Sequence, residues 1–264
     1  MLREFLLKMA GSALGQWRSM RSMSKGQARG REMAAFDFDM TILDRDSDMA
    51  VGQLLPSTER TAELFDLIPK CGWIAFIQHV LQMLHQKYGI DAVAVGRHIR
   101  SLPPVPGILR LIRQLAGHHS NMDLFIVSDS NCFFISEWLE AHGVDHLFAG
   151  IYANPASIAA DGQLIVSPYE EQNRCELCPV NLCKGRILDE LISMGNYKRV
   201  LYIGDGSNDL CAVQHLRAND IACIRRGYEL HKKLTENVHH RPQLSCGHIV
   251  TWRNGHDLYE QLPK

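Results

Sequence analysis

A Rossmann-like parallel α/β sheet with a small inserted helical cap is the fold this sequence predicts, and three observations predict it. First, short unbroken apolar runs end at polar residues. Met33-Ala-Ala-Phe precedes Asp37, and Leu124-Phe-Ile-Val precedes Ser128-Asp129. Val200-Leu-Tyr-Ile precedes Gly204-Asp205, and Ile221-Ala-Cys-Ile precedes Arg225-Arg226-Gly227. Such runs suit strands buried on both faces. Second, helical spacing fills the intervals, as with Ile108, Leu109, Leu111, Ile112 and Leu115 after Pro106-Gly107. Strands alternating with helices build a parallel sheet, and its sites form at the carboxyl ends of the strands. Third, about 90 residues separate Asp37 from Ser128, whereas a parallel crossover needs about a dozen.

In chain order, residues 1–32 form a basic segment with Arg3, Lys8, Arg18, Arg21, Lys25, Arg29 and Arg31 against Glu4 and Glu32. An Arg-rich, acid-poor, amphipathic start resembles a mitochondrial presequence; a disordered basic tail is the alternative. The segment is set outside the fold either way. Residues 33–45 open the α/β core, and residues 105–264 complete it. Residues 46–104 form the cap, whose stripe Trp73, Phe76, Ile77, Val80, Leu81, Leu84 and Tyr88 reads as core packing of one helix. Pro103-Pro104 and Pro106-Gly107 mark the return to the sheet. Residues 152–182 read as a second insertion, a hairpin turning at Asp161-Gly162.

The formal net charge of −1 argues against a general nucleic-acid binder. No uncharged apolar run reaches the roughly 18 residues of a membrane helix. The eight cysteines follow no secretory signal, so free thiols in a reducing compartment are expected. That points to the cytoplasm, or to mitochondria if the basic segment is a presequence. Oligomeric state is left open. Cys175, Cys178 and Cys183 could bind zinc, form a disulfide or pack as thiols; packing is favoured because no local fourth ligand stands beside them. His118-His119 and His239-His240 fall in expected loops and show no metal-ligand spacing tied to acidic residues.

The chemistry concentrates at the strand ends. Asp37 and Asp39 share a face of an extended segment and can divide labour, one as nucleophile or metal ligand and the other as proton donor. Gly204-Asp205-Gly206-Ser207-Asn208-Asp209 adds hard oxygen ligands suited to magnesium. Ser128 offers a hydroxyl to a phosphoryl oxygen. Lys184, opening a helical pattern to Ile192, offers a point charge to phosphate and nucleophile. Each alone could be a turn, a helix cap or a solvated side chain.

Together Asp37, Asp39 and Thr41, then Ser128, Lys184, Asp205, Asn208 and Asp209, resemble the haloacid dehalogenase superfamily of phosphatases. Asp44 to Asp48, Ser128 to Asn131, Cys175 to Lys184 and Arg225 to Tyr228 resemble one branch. That branch holds phosphoethanolamine/phosphocholine phosphatase and its pyridoxal phosphate relative. Met40 and Ser207 depart from its pattern. The resemblance implies a HAD-like fold and a small phosphomonoester substrate. It implies Asp37 as nucleophile, Asp39 as acid and base, and Mg2+ on Asp37, Asp205 and the Asp39 carbonyl. Ser128 and Lys184 hold phosphate, Asn208 and Asp209 support, and Asp48 and Asp129 lie near the leaving group. Pyridoxal 5′-phosphate is favoured slightly over phosphoethanolamine and phosphocholine. The bland alternative for the last two aspartates is that Asp48 caps the first cap helix and Asp129 sits in a turn. A phospho-accepting signalling or ligand-binding module without turnover is the rival function.

Overall fold

The computed structural model describes residues 30–118, 121–235 and 244–263. The presequence question and His119, His239 and His240 therefore lie outside the described residues, apart from the end of the basic segment. There Arg31 pairs with Asp123, and the first strand, β1, spans Glu32–Phe36, with Glu32 bonded to Arg199. Arg31 and Glu32, set outside the fold in the sequence, are thus held by the sheet.

The other strands are β2 (Met122–Asn131), β3 (Phe148–Asn154), β4 (Ala156–Ile158), β5 (Leu164–Val166), β6 (Arg199–Gly204), β7 (Ile221–Arg225) and β8 (His248–Trp252). Six of them form one sheet in the order β3-β2-β1-β6-β7-β8, parallel throughout. The expected α/β class is the observed one. Within β1 the side chains alternate: Ala34 and Phe36 join one apolar layer, Met33 and Ala35 the other. Both layers are covered by helices, which explains why the strand runs are apolar without interruption. Phe36 pairs with Ile126 on one side and Ile203 on the other. That register brings Asp37, Ser128 and Asp205 to one edge of the sheet.

Five short helices occupy the long interval after β1: α1 (Ser47–Gly52), α2 (Ala62–Phe65), α3 (Leu67–Cys71), α4 (Trp73–Tyr88) and α5 (Ala92–Arg100). Along α4, Phe76, Ile77, Val80, Leu81 and Leu84 are buried, following the apolar spacing of the sequence. Each such side chain contributes about 1.5–3 kcal/mol by leaving water. The Trp138 indole N–H donates to the Leu102 carbonyl at 2.9 Å, fastening the chain where it returns to the sheet.

The hairpin forms as expected: β4 and β5 are antiparallel, and Gly162 turns with φ +90. It packs against the cap. Val166 N–H donates to Gln78 Oε1 at 2.8 Å, and Ala92 N–H donates to the Gly162 carbonyl at 3.0 Å. The remaining helices are α6 (Ile108–His118), α7 (Cys132–Ala141), α8 (Lys184–Gly195), α9 (Asp209–Gln214), α10 (Glu229–Thr235) and α11 (Gly255–Gln261). Among the described residues no helix is long and apolar enough to cross a membrane.

Candidate active site

Asp37 follows β1 and is 5% exposed. Its backbone N–H donates to Ile203, fixing the residue against β6, and its Oδ1 accepts from the Phe38 N–H at 2.7 Å. The chain then turns sharply. The N–H groups of Ile42 and Leu43 both donate to the Phe38 carbonyl, and Met40 takes a left-handed φ of +54 that non-glycine residues rarely adopt. Arg225 holds this turn, donating to the Met40 carbonyl and, at 2.8 Å, to Asp44 Oδ1. Its guanidinium stacks on Tyr228, 4.3 Å from the ring centroid.

Lys184 opens α8 and is fully buried. Its Nζ lies 2.7 Å from Asp37 Oδ2 and 2.7 Å from Asp209 Oδ1. Burial disfavours the ammonium, but Asp209, Asp37 and Asp129 outweigh it and raise the group well above its ordinary value.

Asp209 has no spare capacity. Its Oδ1 also accepts from Tyr202 OH at 2.6 Å, and its Oδ2 accepts from the N–H groups of Asp205 and Gly206 at 2.9 and 2.8 Å. Gly204 permits this closeness, since a Cβ there would stand 2.5 Å from Asp209 Oδ2. Asp209 therefore positions Lys184 and the loop. Carboxylate oxygens of Asp37, Asp205 and Asp209 lie within 4.8 Å of one another, and Asp37 and Asp205 accept fewer hydrogen bonds than Asp209.

Burial pushes Asp37 up to about 7, with Asp209 and Asp129 adding to it and Lys184 opposing. Burial likewise pushes Asp205 up to about 8, helped by Asp209 and Asp37, while Thr41 donates to its Oδ1 at 3.0 Å. Negative charge thus exceeds what Lys184 can neutralise, and the spare donors are hard carboxylate oxygens. Both features fit a hard divalent cation such as Mg2+.

Asp39 differs. Ser47 Oγ donates to its Oδ2 at 2.9 Å, and its buried Oδ1 has no protein partner. Burial first, then Asp46, Asp48 and Asp37, hold its carboxyl well above the usual range. It is a proton holder two residues from the Asp37 carboxyl that Lys184 pairs. Ser47 Oγ also lies 2.8 Å from Ser130 Oγ, tying α1 to the end of β2. Ser128 is fully buried and accepts from the Ser130 N–H at 3.3 Å.

Asp129 lies in β2 rather than in a turn, and its Oδ2 accepts from Asn208 Nδ2 at 2.9 Å. Asn208 therefore braces Asp129 across the cleft. Asp46, and not Asp48, caps α1, through the Met49 N–H at 2.8 Å. Asp48 is 7% exposed with a buried Oδ1 that no protein donor reaches, and burial followed by Asp46 and Asp129 raises its carboxyl. The bland accounts of these two aspartates do not hold.

Residues 32–264 match the family model described as "Putative Phosphatase". The chain belongs to this phosphatase family. Within it, the phosphatase is 36% identical over 235 residues to pyridoxal phosphate phosphatase of Mus musculus, covering 87% of this chain and 96% of the relative. It is 28% identical over 237 residues to phosphoethanolamine/phosphocholine phosphatase of Homo sapiens, covering 88% of each. A solved phosphoserine phosphatase, a phospho-aspartyl intermediate analogue, superposes with TM-score 0.59 at 13% identity. That match covers 89% of this chain and 100% of the other. It shows the haloacid dehalogenase fold.

Sequence reasoning missed several supports of this phosphatase site. Ser47 stood inside the Asp44 to Asp48 segment with no role of its own, and Tyr202 hides inside an apolar strand. Arg225 was visible at a strand end and in the Arg225 to Tyr228 segment, but without its contacts to Met40 and Asp44. The cysteine group is larger than the sequence suggested: Cys175, Cys178 and Cys183 are joined by Cys211 from α9, 28 residues beyond Cys183. A search for a fourth ligand close in sequence could not find it.

Proposed function

We propose that the protein hydrolyses a small phosphomonoester through a covalent phosphoaspartate on Asp37. The observation that carries this is the pairing of Asp37 with the buried Lys184 at 2.7 Å while Asp39, two residues on, holds a proton-retaining carboxyl whose Oδ1 has no protein partner. A carboxylate of Asp37 attacks phosphorus in line, and the ester P–O bond breaks. Asp39 gives its proton to the leaving oxygen. Asp39, now ionised, takes a proton from water as that water attacks the phosphoaspartate, which releases phosphate and restores Asp37. Lys184 and Ser128 hold the phosphoryl oxygens as charge redistributes. Asp37, Asp205 and the Asp39 carbonyl would hold Mg2+, which supplies charge neutralisation and fixes the phosphate.

Pyridoxal 5′-phosphate is the substrate we favour. The greater identity to pyridoxal phosphate phosphatases than to the human phosphoethanolamine/phosphocholine enzyme supports it. Asp48 and Asp129 would face the basic or cationic leaving group and repel a second anion. The test is kcat/KM for pyridoxal 5′-phosphate, phosphoethanolamine, phosphocholine and a neutral aryl phosphate with Mg2+, repeated in Asp48→Asn. The variant should lose the preferred substrate more than the aryl phosphate. Parallel losses on all four would refute the specificity role. A phospho-accepting module without turnover would label Asp37 once and release no further phosphate.

A further inference from the structure

The geometry points to a structural zinc site formed by Cys175, Cys178, Cys183 and Cys211, separate from the carboxylates that would hold Mg2+. The four sulfurs lie within 4.8 Å of one another. Two of the spacings are 3.5 Å, between Cys175 and Cys211, and 3.8 Å, between Cys183 and Cys211. Zn–S bonds of about 2.3 Å in a tetrahedron place sulfurs about 3.8 Å apart. All four are free thiols, and three are buried. The ligands come from three places: an irregular loop, the residue capping α8, and α9.

The surroundings suit a thiolate cluster. Backbone N–H groups of Lys184 and Arg186 serve Cys178 and Cys183, respectively. Gln172 clamps the loop: its Nε2 donates to the carbonyls of Cys175, Cys178 and Pro179, and its Oε1 accepts from the N–H groups of Arg174 and Cys175. Such support around a ligand loop is what orients metal-binding sulfurs. Gly185 matters here as well, since a Cβ would stand 2.6 Å from Cys211 Sγ and part α8 from α9. Zinc binding displaces the thiol protons to solvent and leaves a four-sulfur complex, with no oxidation of any group. Cys183 directly precedes Lys184 and Cys211 follows Asp209 by two residues, so the metal would lock the two elements whose side chains meet at 2.7 Å.

The test is the metal content of the full chain, purified reduced and without chelator from zinc-supplemented cells. One zinc per chain is expected. Cobalt added to the zinc-stripped chain should give thiolate-to-metal charge-transfer bands in the near ultraviolet. Asp205→Ala should keep both signals, which separates this site from the carboxylates. Cys175 is the ligand least buried, and Cys175→Ser should weaken zinc binding at least by the roughly 10- to 100-fold that even outer-shell changes cost. Zinc at the buffer level with no cobalt–thiolate band would overturn the assignment. So would a native disulfide within the group by intact mass, or unchanged zinc affinity in Cys175→Ser.

Discussion

Replacing Lys184 by methionine removes the ammonium that stands between two buried carboxylates and leaves the volume nearly filled. Lys184 is fully buried, and its two contacts of 2.7 Å reach Asp37 and Asp209. Breaking a buried pair by removing one partner costs about 3–5 kcal/mol, because the other charge stays buried and unpaired. At about 2–4 °C per kcal/mol for a chain of this size, the midpoint should fall by about 6–20 °C. The assay is thermal unfolding in EDTA, followed by near-ultraviolet circular dichroism, for both proteins at several pH values. The loss should be greatest near pH 8 and should shrink as acid protonates the stranded Asp37, which burial pushes up to about 7 even against the opposing Lys184. Turnover should fall by at least the roughly 10²–10³ fold attached to one phosphoryl-holding group. A midpoint unchanged at pH 8, with activity lost, would refute the electrostatic account of the pair.

Asp37→Asn should abolish turnover in a folded protein, and acid-quenched mass spectrometry with substrate should show no phosphoryl adduct; near-normal rates would remove the covalent route. Asp39→Asn should slow turnover by about 10²–10⁴ fold for alkyl phosphates and far less for esters of acidic phenols, which need no proton; equal losses across leaving groups would deny Asp39 the acid role. The metal-free protein should lose stability as pH rises. Asp37 at about 7 and Asp205 at about 8 bind protons in the folded state that an unfolded aspartate releases near 3.8. Magnesium should therefore raise the melting midpoint little at pH 5 and increasingly through pH 8, and an increment independent of pH would show that the cation binds elsewhere.

Much of the fold was legible because burial on both faces writes itself into a strand as an unbroken apolar run. Met33 to Phe36 and Val200 to Ile203 are examples. β8 was not legible: His248 and Ile249 are exposed at the sheet edge, so its pattern is mixed. The acidic site was readable because each strand delivers its carboxylate immediately after the run. What links those carboxylates was not. Tyr202 looks like one more apolar strand residue, yet its hydroxyl bonds Asp209. Asp46 and Asp48 stand two apart in one acidic run, and only the fold shows that Asp46 caps the helix while Asp48 is buried. Cys211 escaped for the same reason, since nothing local ties it to Cys175 or Cys178. Partners chosen by tertiary approach leave no mark in spacing.

The hairpin's grip on the cap has a consequence for how the cap can move. A cap attached only through its two chain crossings could swing wide. Here Gln78 and Ala92 are bonded to Val166 and Gly162, which belong to the chain between β3 and α8. Opening the roof must then break those bonds or carry the hairpin along with it. The cap and the hairpin therefore behave as one body, and any motion of the one is a motion of both.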